Sequence, residues 1–298
     1  MILIVTTEDH RYTHKTLAPE GKVDVRVISY KELKQHATRL PRGTYIFTDV
    51  DRLSMYDVRD AAMSYRALKR AGQRVLNDPA RMLSRYGLLR ALNRAGINDF
   101  DAYRLEEQDG PRRWPVFLRL DGGHGSPITD LLHTQEDLDA AVAEAVEKGV
   151  PKSLLLIIEY CAEPVKPGLF RKLSVFRVGD RLLGYTCVHD DQWIVKYGQP
   201  AIATAALYKE EFKFVSKHSY AEAMGPVFEI AGIEYGRVDF GLVGGKPQIY
   251  EINSNPDVKL RPEPSTVDQR NKSNEVFRVN YLEAMREIDT YSRSASAA

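Results

Sequence analysis

Apolar positions in the first quarter of the chain fall in short, dense runs. "ILIVT" (2–6), "VDVRVIS" (23–29), "TYIFTD" (44–49) and "RVLN" (74–77) each read as a strand, while the stretches near 31–37 and 56–71 carry helical spacing. Strands alternating with helices predict a small parallel α/β sheet. No G-x-G-x-x-G follows the first strand, which argues against a Rossmann-type dinucleotide site. "NDPARMLSRYGLLRALNRAGI" (77–97) then predicts a long amphipathic helix, with Asp78 as its cap, Pro79 in its first turn and Gly96 at its end.

Further along, "WPVFLRLDGGHGSP" (114–127) reads as a strand entering a glycine-rich loop, and a helix is expected over 134–148. "SLLLIIEYC" (153–161) has the continuous apolar run of a buried strand. "FRKLSVFRV" and "RLLGYTCVH" form a hairpin about Gly179-Asp180. A helix near 218–232 leads into "YGRVDFGLV", a Gly244-Gly245 turn and "KPQIYEINSN", and a last amphipathic helix spans 274–289. The small polar tail, 292–298, is expected to be disordered.

Composition narrows the function classes. With 298 residues there is chain enough for two or three lobes, and 43% hydrophobic against 28% charged residues suits a globular protein. A net charge of +1 gives no general pull toward nucleic acid or a membrane surface, and neither is expected as a partner. No apolar run approaches the ~18 residues of a membrane span. "MILIVTTEDH" has no basic segment ahead of its apolar run, so it reads as a first strand rather than a signal peptide, and the cytoplasm is the default compartment. The two cysteines, Cys161 and Cys187, read as small buried apolar residues in strands; a disulfide or zinc site has little support. The seven histidines show no H-x-x-x-H spacing and receive no role, His124 and His189 being the only two of note.

Candidate chemistry concentrates in "IYEINSNPDV" (249–258), where Glu251, Asn253, Asn255 and Asp257 alternate with apolar residues. Asp239 stands twelve residues before Glu251, across the Gly244-Gly245 turn. A three-residue loop or a bulge would set Asp239 opposite Glu251, with Asn253 on the same side; a strict two-residue loop would pair Asp239 with Tyr250 instead. Three converging oxygen ligands suit magnesium, whose remaining positions go to water and substrate phosphates. The alternative is a solvent-facing hairpin with scattered acids. Arg237 is expected on the opposite strand face, in a structural ion pair.

"GRVDFGL…PQIYEINSNP" resembles the closing signature of ATP-grasp enzymes, R-x-D-F followed by a hairpin and E-[IV]-N-x-x-P. The resemblance runs from Asn77 to the final helix: 77–97 is similar to the family's entry helix, "WPVFLRLDGGHGS" to its phosphate-approaching strand and loop, and "LLLIIEYCAE" to its adenine hinge. It implies that Asp239, Glu251 and Asn253 hold one or two magnesium ions. Gly122, Gly123, Gly125 and Ser126 would close backbone amides over ATP phosphates, Glu159, Tyr160 and Cys161 would meet the adenine edge, and Glu163 would accept from the ribose. Arg119, Arg171 and Lys172, together with Lys196, stand where such enzymes place cations for phosphate or an acyl group. Two departures are Arg85 and Arg119, where the family usually has lysine; arginine keeps the charge but offers a broader planar fork. Asp257 replaces the glycine that often follows the family's proline, and Lys259 and Arg261 follow as candidate contacts to an anionic acceptor.

The expectation is therefore a mixed α/β and α+β protein. An N-terminal parallel α/β lobe (1–76) precedes an ATP-grasp module with central (77–152) and C-terminal (153–291) subdomains. The implied activity is ATP-dependent ligation of a carboxylate to an amine or thiol through an acyl phosphate, on small-molecule or peptide substrates. A kinase on the same fold and a non-catalytic nucleotide-binding module are the alternatives, and a homodimer is left open.

Overall fold

A computed structural model describes residues 1–17, 23–35, 40–122, 125–196, 198–199 and 201–289. The tail at 292–298 and Gly123 and His124 of the glycine loop lie outside the described residues. Strands β1 (Ile2–Thr6), β2 (Val25–Ser29), β3 (Thr44–Phe47) and β4 (Arg74–Leu76) make the parallel sheet that the apolar runs predicted, in the order β2-β1-β3-β4. Helices α1 (Tyr30–Gln35) and α2 (Met55–Arg70) accompany it, and Ser54 caps α2 by accepting the Asp57 N–H at 3.2 Å.

The expected 77–97 helix forms only over its second half, as α3 (Arg85–Arg94). Asn77 has φ 63°, a left-handed conformation outside the helical region, so the helix does not run through it. The Asp78 carboxylate is taken by the Ala80 amide at 3.0 Å and by Arg66 at 3.0 Å, so Ser84 caps the helix instead, through the Gly87 N–H. This puts Arg85 on the first helical turn.

A three-stranded antiparallel sheet follows, β5 (Ala102–Arg104), β7 (Leu155–Glu159) and β6 (Val116–Leu120), with β7 in the middle. Helix α4 (Gln135–Glu147) covers it, and Thr134 and Asp137 make a reciprocal capping box. β7 thus joins the middle sheet across the 152/153 division. The third sheet is antiparallel, ordered β11-β10-β8-β9, from β8 (Phe170–Val178), β9 (Arg181–Asp190), β10 (Tyr235–Val243) and β11 (Lys246–Asn253). Its helices are α5 (Ala205–Lys217), α6 (Ala221–Ala231) and α7 (Asp268–Ile288). Helix α5 was not expected, because Glu211 occupies a buried position on its inner face and interrupts the apolar stripe.

The β10–β11 hairpin carries the register on which the site depends. Gly244 and Gly245, at φ 56° and 80°, form a two-residue turn between Val243 and Lys246. A bulge then makes Tyr250 the extra residue, so Phe240 pairs with Ile249 while Asp239 pairs with Glu251. The Tyr250 ring lies over Gly241, where an added Cβ would sit 2.2 Å from its hydroxyl oxygen, so the ring in this position leaves no room for a side chain there.

One core cluster runs from Ile2, Ile4 and Ile46 of the first sheet to Phe176, Tyr235 and Phe240 of the third and Phe277 and Tyr281 of α7. The N-terminal lobe is therefore packed into the C-terminal sheet. Asn77, fully buried, fastens the junction with four side-chain hydrogen bonds. Its amide donates to the carbonyls of Phe47 (2.9 Å) and Tyr235 (2.8 Å), and its oxygen accepts from the amides of Glu234 (2.8 Å) and Tyr235 (2.9 Å). Asn77→Ala would leave four buried backbone groups unpaired at ~1–3 kcal/mol each before relaxation. We expect urea denaturation to show a loss of about 3–5 kcal/mol; a loss below about 1 kcal/mol would mean that the junction does not depend on Asn77.

Candidate active site

Three elements meet at the carboxylate of Glu251 on β11. Arg85, from the first turn of α3, reaches it at 3.1 Å and also donates to the Leu120 carbonyl at 2.6 Å. Arg119, from β6, reaches the same oxygen at 2.9 Å and donates to the Gly125 carbonyl at 3.2 Å. Burial, and then Arg85 beside it, pull the Arg119 guanidinium below its usual value without discharging it. The Arg119 Nε is buried and has no hydrogen-bond partner among the described residues.

Asp239 lies opposite Glu251 in register, and both border one cleft. Its carboxylate is buried and takes the Ser174 hydroxyl at 2.9 Å, Arg237 in a two-pronged pair at 2.8 and 3.1 Å, and Lys172 at 3.3 Å. Arg237 is thus on the same face as Asp239, not the opposite one, since residues two apart on a strand share a face. Its ion-pair role stands, with Asp239 as partner. Asn253 follows on the Glu251 side of the strand, its Oδ1 accepting the Asn255 N–H at 2.8 Å.

The cleft as a whole encloses ≈ 130 Å³, and outward from these charges it becomes an aromatic slot. Phe117, Trp193 and Tyr160 line it, with Trp193 packed 4.9 Å from Phe117 and edge-on to Tyr160 at 5.6 Å, centroid to centroid. The Tyr250 hydroxyl donates to the Cys161 carbonyl at 3.1 Å. At the hinge the Tyr160 amide is spent on the Pro115 carbonyl (2.9 Å), whereas those of Cys161 and Ala162 have no acceptor among the described residues. A flat apolar slot with polar backbone at its rim is suited to a heteroaromatic ring.

The other expected residues divide. Gly125, Ser126, Arg171 and Lys196 border the cleft. Lys172 also donates to the Lys196 carbonyl at 2.9 Å, and Arg171 is ion-paired with Glu210. Glu163 borders the cleft too, its carboxylate accepting the Gly244 N–H at 2.6 Å. Glu159 lines the slot, but its side chain turns inward to take the amides of Asp101, Arg112 and Arg113 and the Tyr103 hydroxyl, all at 2.8–3.0 Å; it fixes the hinge rather than meeting solvent. Gly122 faces a second cavity, bordered also by Asp51, Arg85, Ser254 and Glu251, so the two spaces meet at Glu251.

Asp257, Lys259 and Arg261 are not brought to either cavity. The chain after Asn253 lies extended on the N-terminal lobe, where the Val258 amide donates to the Thr13 carbonyl at 3.0 Å. Val258 and Leu260 are buried, and the alternation turns 257, 259 and 261 to solvent, where Asp257 and Lys259 pair at 3.7 Å. Missed altogether were Ser174, Phe117 and Trp193. Trp193, in an irregular stretch with no periodic signal, could have been singled out only as one of two tryptophans.

Solved structures share this fold. The D-alanine–D-alanine ligase of Bacillus anthracis, in complex with ATP, superposes with a TM-score of 0.53 at 13% identity over 96% of this chain and 99% of that one. The D-alanine–D-alanine ligase of Coxiella burnetii gives 0.52 at 11% identity over 100% of both chains. The N5-carboxyaminoimidazole ribonucleotide synthetase of Thermotoga maritima gives 0.51 at 13%, over 85% and 68%. No protein-family model and no curated protein matches the sequence. The chain shares the fold of these ligases, in line with the ATP-grasp-like architecture that the motifs from Asn77 onward implied.

The electrostatics of Asp239 set a pH dependence. Burial pushes its carboxyl upward, but Arg237 and then Lys172 outweigh it and hold the pKa at about 2. The unfolded carboxyl titrates near ~3.9, so this stabilisation is present above that pH and is lost as pH falls through about 2. Stability measured between pH about 4 and about 2 should therefore fall more steeply in the wild type than in Asp239→Asn; equal slopes would show that another group carries the transition.

Proposed function

We propose that the protein is an ATP-dependent ligase that joins a carboxylate to an amine or thiol through an acyl phosphate, releasing ADP and phosphate. One observation carries this reading. An aromatic slot with unused hinge amides leads directly to a paired Asp239 and Glu251 ringed by Arg85, Arg119, Arg237 and Lys172. Such a gradient, apolar to highly charged, matches adenine at one end and phosphates at the other. The cytoplasm remains the compartment this activity suits; no helix among the described residues is long and apolar enough to cross a membrane.

Asp239, Glu251 and Asn253 fit magnesium by donor type, being hard side-chain oxygens on adjoining register positions. Each carboxylate is now satisfied by cationic side chains, so the ion and the phosphates would enter together, the arginines passing from carboxylate to phosphate. Bound magnesium would neutralise charge on the phosphate being transferred. The chain's own part is positioning. Arg119, with its buried unpaired Nε, would hold phosphate by charge-assisted hydrogen bonds. Arg237 and Lys172 keep Asp239 ionised. The second cavity, meeting the first at Glu251, is where the substrate carboxylate would approach the γ-phosphate past Arg85.

Product analysis tests the proposal. ADP and inorganic phosphate should appear in equal amounts, only when both a carboxylate and a nucleophile are present, and hydroxylamine should trap a hydroxamate. ADP with a stable phosphorylated acceptor would indicate a kinase, and no turnover a binding module; AMP with pyrophosphate would contradict the mechanism. Glu251→Gln should suppress turnover by removing a negative ligand from the magnesium bed.

Arg119→Ala should weaken ATP binding by about 1.5–3 kcal/mol, roughly ten- to a hundredfold. Unchanged affinity by calorimetry in a folded variant would remove Arg119 from the phosphate site.

A further inference from the structure

Under α5, three side chains that the ligase reading does not use bring ligand atoms together. Cys187 and His189 are two apart on the edge strand β9 and share a face, and Glu210 descends on them from α5. A sulfur, an imidazole nitrogen and a carboxylate oxygen all lie within 4.8 Å of one another. The Nε2 of His189 is 3.8 Å from a Glu210 oxygen. That ring is 2% exposed, yet its Nε2 has no hydrogen-bond partner among the described residues. Buried polar atoms are normally satisfied, so an orphaned nitrogen 3.8 Å from a carboxylate, on a ring beside a thiol, calls for a reason.

The surrounding backbone is well held. The Cys187 amide donates to Glu211 at 3.2 Å, Glu211 is ion-paired to Arg270 of α7, and the His189 carbonyl accepts the Gln199 amide at 2.9 Å. Glu210, with its side chain 35% exposed, leaves the cluster open to solvent on one side. Thiolate, imidazole and carboxylate together are a donor set for zinc and its neighbours, and three protein ligands leave a fourth position open.

We propose that Cys187, His189 and Glu210 form a three-ligand site for zinc or a related transition-metal ion, with water in the fourth position. Its donors are softer than the oxygens at Asp239 and Glu251, so the two sites would select different ions. Binding converts the Cys187 thiol to a thiolate and releases one proton to solvent. Two anionic ligands against a doubly charged ion leave no net buried charge. Arg171, now paired with Glu210, borders the nucleotide cleft and would be left to it. The site stands independently of the proposed ligase activity.

The probe is cobalt(II) titrated into the purified full-length chain, read by the thiolate-to-cobalt charge-transfer band in the near ultraviolet. One equivalent should produce the band, and zinc should bleach it. Cys187→Ser should abolish it, and Cys161→Ser should retain it. Changes to outer partners alone weaken metal sites about 10–100-fold, so His189→Asn should cost at least roughly 100-fold in affinity. Should Cys187→Ser not fold, Glu210→Gln at the partly exposed ligand carries the test and should weaken binding by about tenfold or more. No band with cobalt in excess, a band that persists in folded Cys187→Ser or follows Cys161, or unchanged affinity in Glu210→Gln would overturn the site.

Discussion

Glu251 is the charge on which the inner end of the cleft depends. Arg85 and Arg119 come from different elements and would repel one another, and the depressed pKa of Arg119 records that repulsion together with its burial. A single carboxylate oxygen between them, at 3.1 and 2.9 Å, turns the conflict into a joint among α3, β6 and β11. A mostly buried ion pair gains little net stability against an apolar replacement, but removing one member leaves an uncompensated charge. The joint therefore acts more by fixing where the sheets meet than by deepening stability, and it keeps two cations near a cleft that suits an anion.

The N-terminal lobe is tied to this arrangement from behind. Thr13 and Thr16 hold the chain that leaves β11, and His14 sends its ring to the Tyr235 hydroxyl at 2.9 Å, which in turn meets Tyr281 at 2.6 Å. Burial drives the His14 pKa down to about 3, so the ring works as a neutral hydrogen-bonding group at any physiological pH. With Asn77 across the junction, the lobe has little freedom to shift without breaking buried polar contacts. The strand that carries Glu251 and the loop that follows it are thus referenced to the first sheet as well as to their own.

Periodicity made most of the strands and five helices (α1, α2, α4, α6 and α7) readable, and the acid–amide alternation of 249–258 located the charged end of the cleft. Legibility ended where tertiary contacts outweighed local pattern. Helix propensity over 77–84 lost to the four hydrogen bonds of Asn77, and a buried Glu211 concealed α5. The choice between a longer turn and a bulge could not be read from Gly244-Gly245 alone, since the odd residue, Tyr250, lies well beyond the turn on β11. The sequence does not reveal which of the two alternating faces of 257–261 will be covered, so it could not show that Asp257, Lys259 and Arg261 stand away from the cleft. Arg261 borders a separate pocket with Asn271 and Arg278. The apolar half of the cleft was hidden for a related reason: Phe117, Tyr250 and Trp193 converge from three distant parts of the chain.

The bulge at Tyr250 makes the hairpin a device of parity. Eleven residues separate Asp239 from Glu251, and one of them is left without a counterpart, which brings the two acids level across a two-residue turn. Loss of any single residue from either arm would reverse which face each acid occupies beyond that point, exchanging cleft for core. The turn itself is different, because space around Gly244 and Gly245 is open. Length variation in this segment should thus be confined to its tip, and a homologous hairpin that lacked the odd residue would have to recover the alignment with a loop one residue longer.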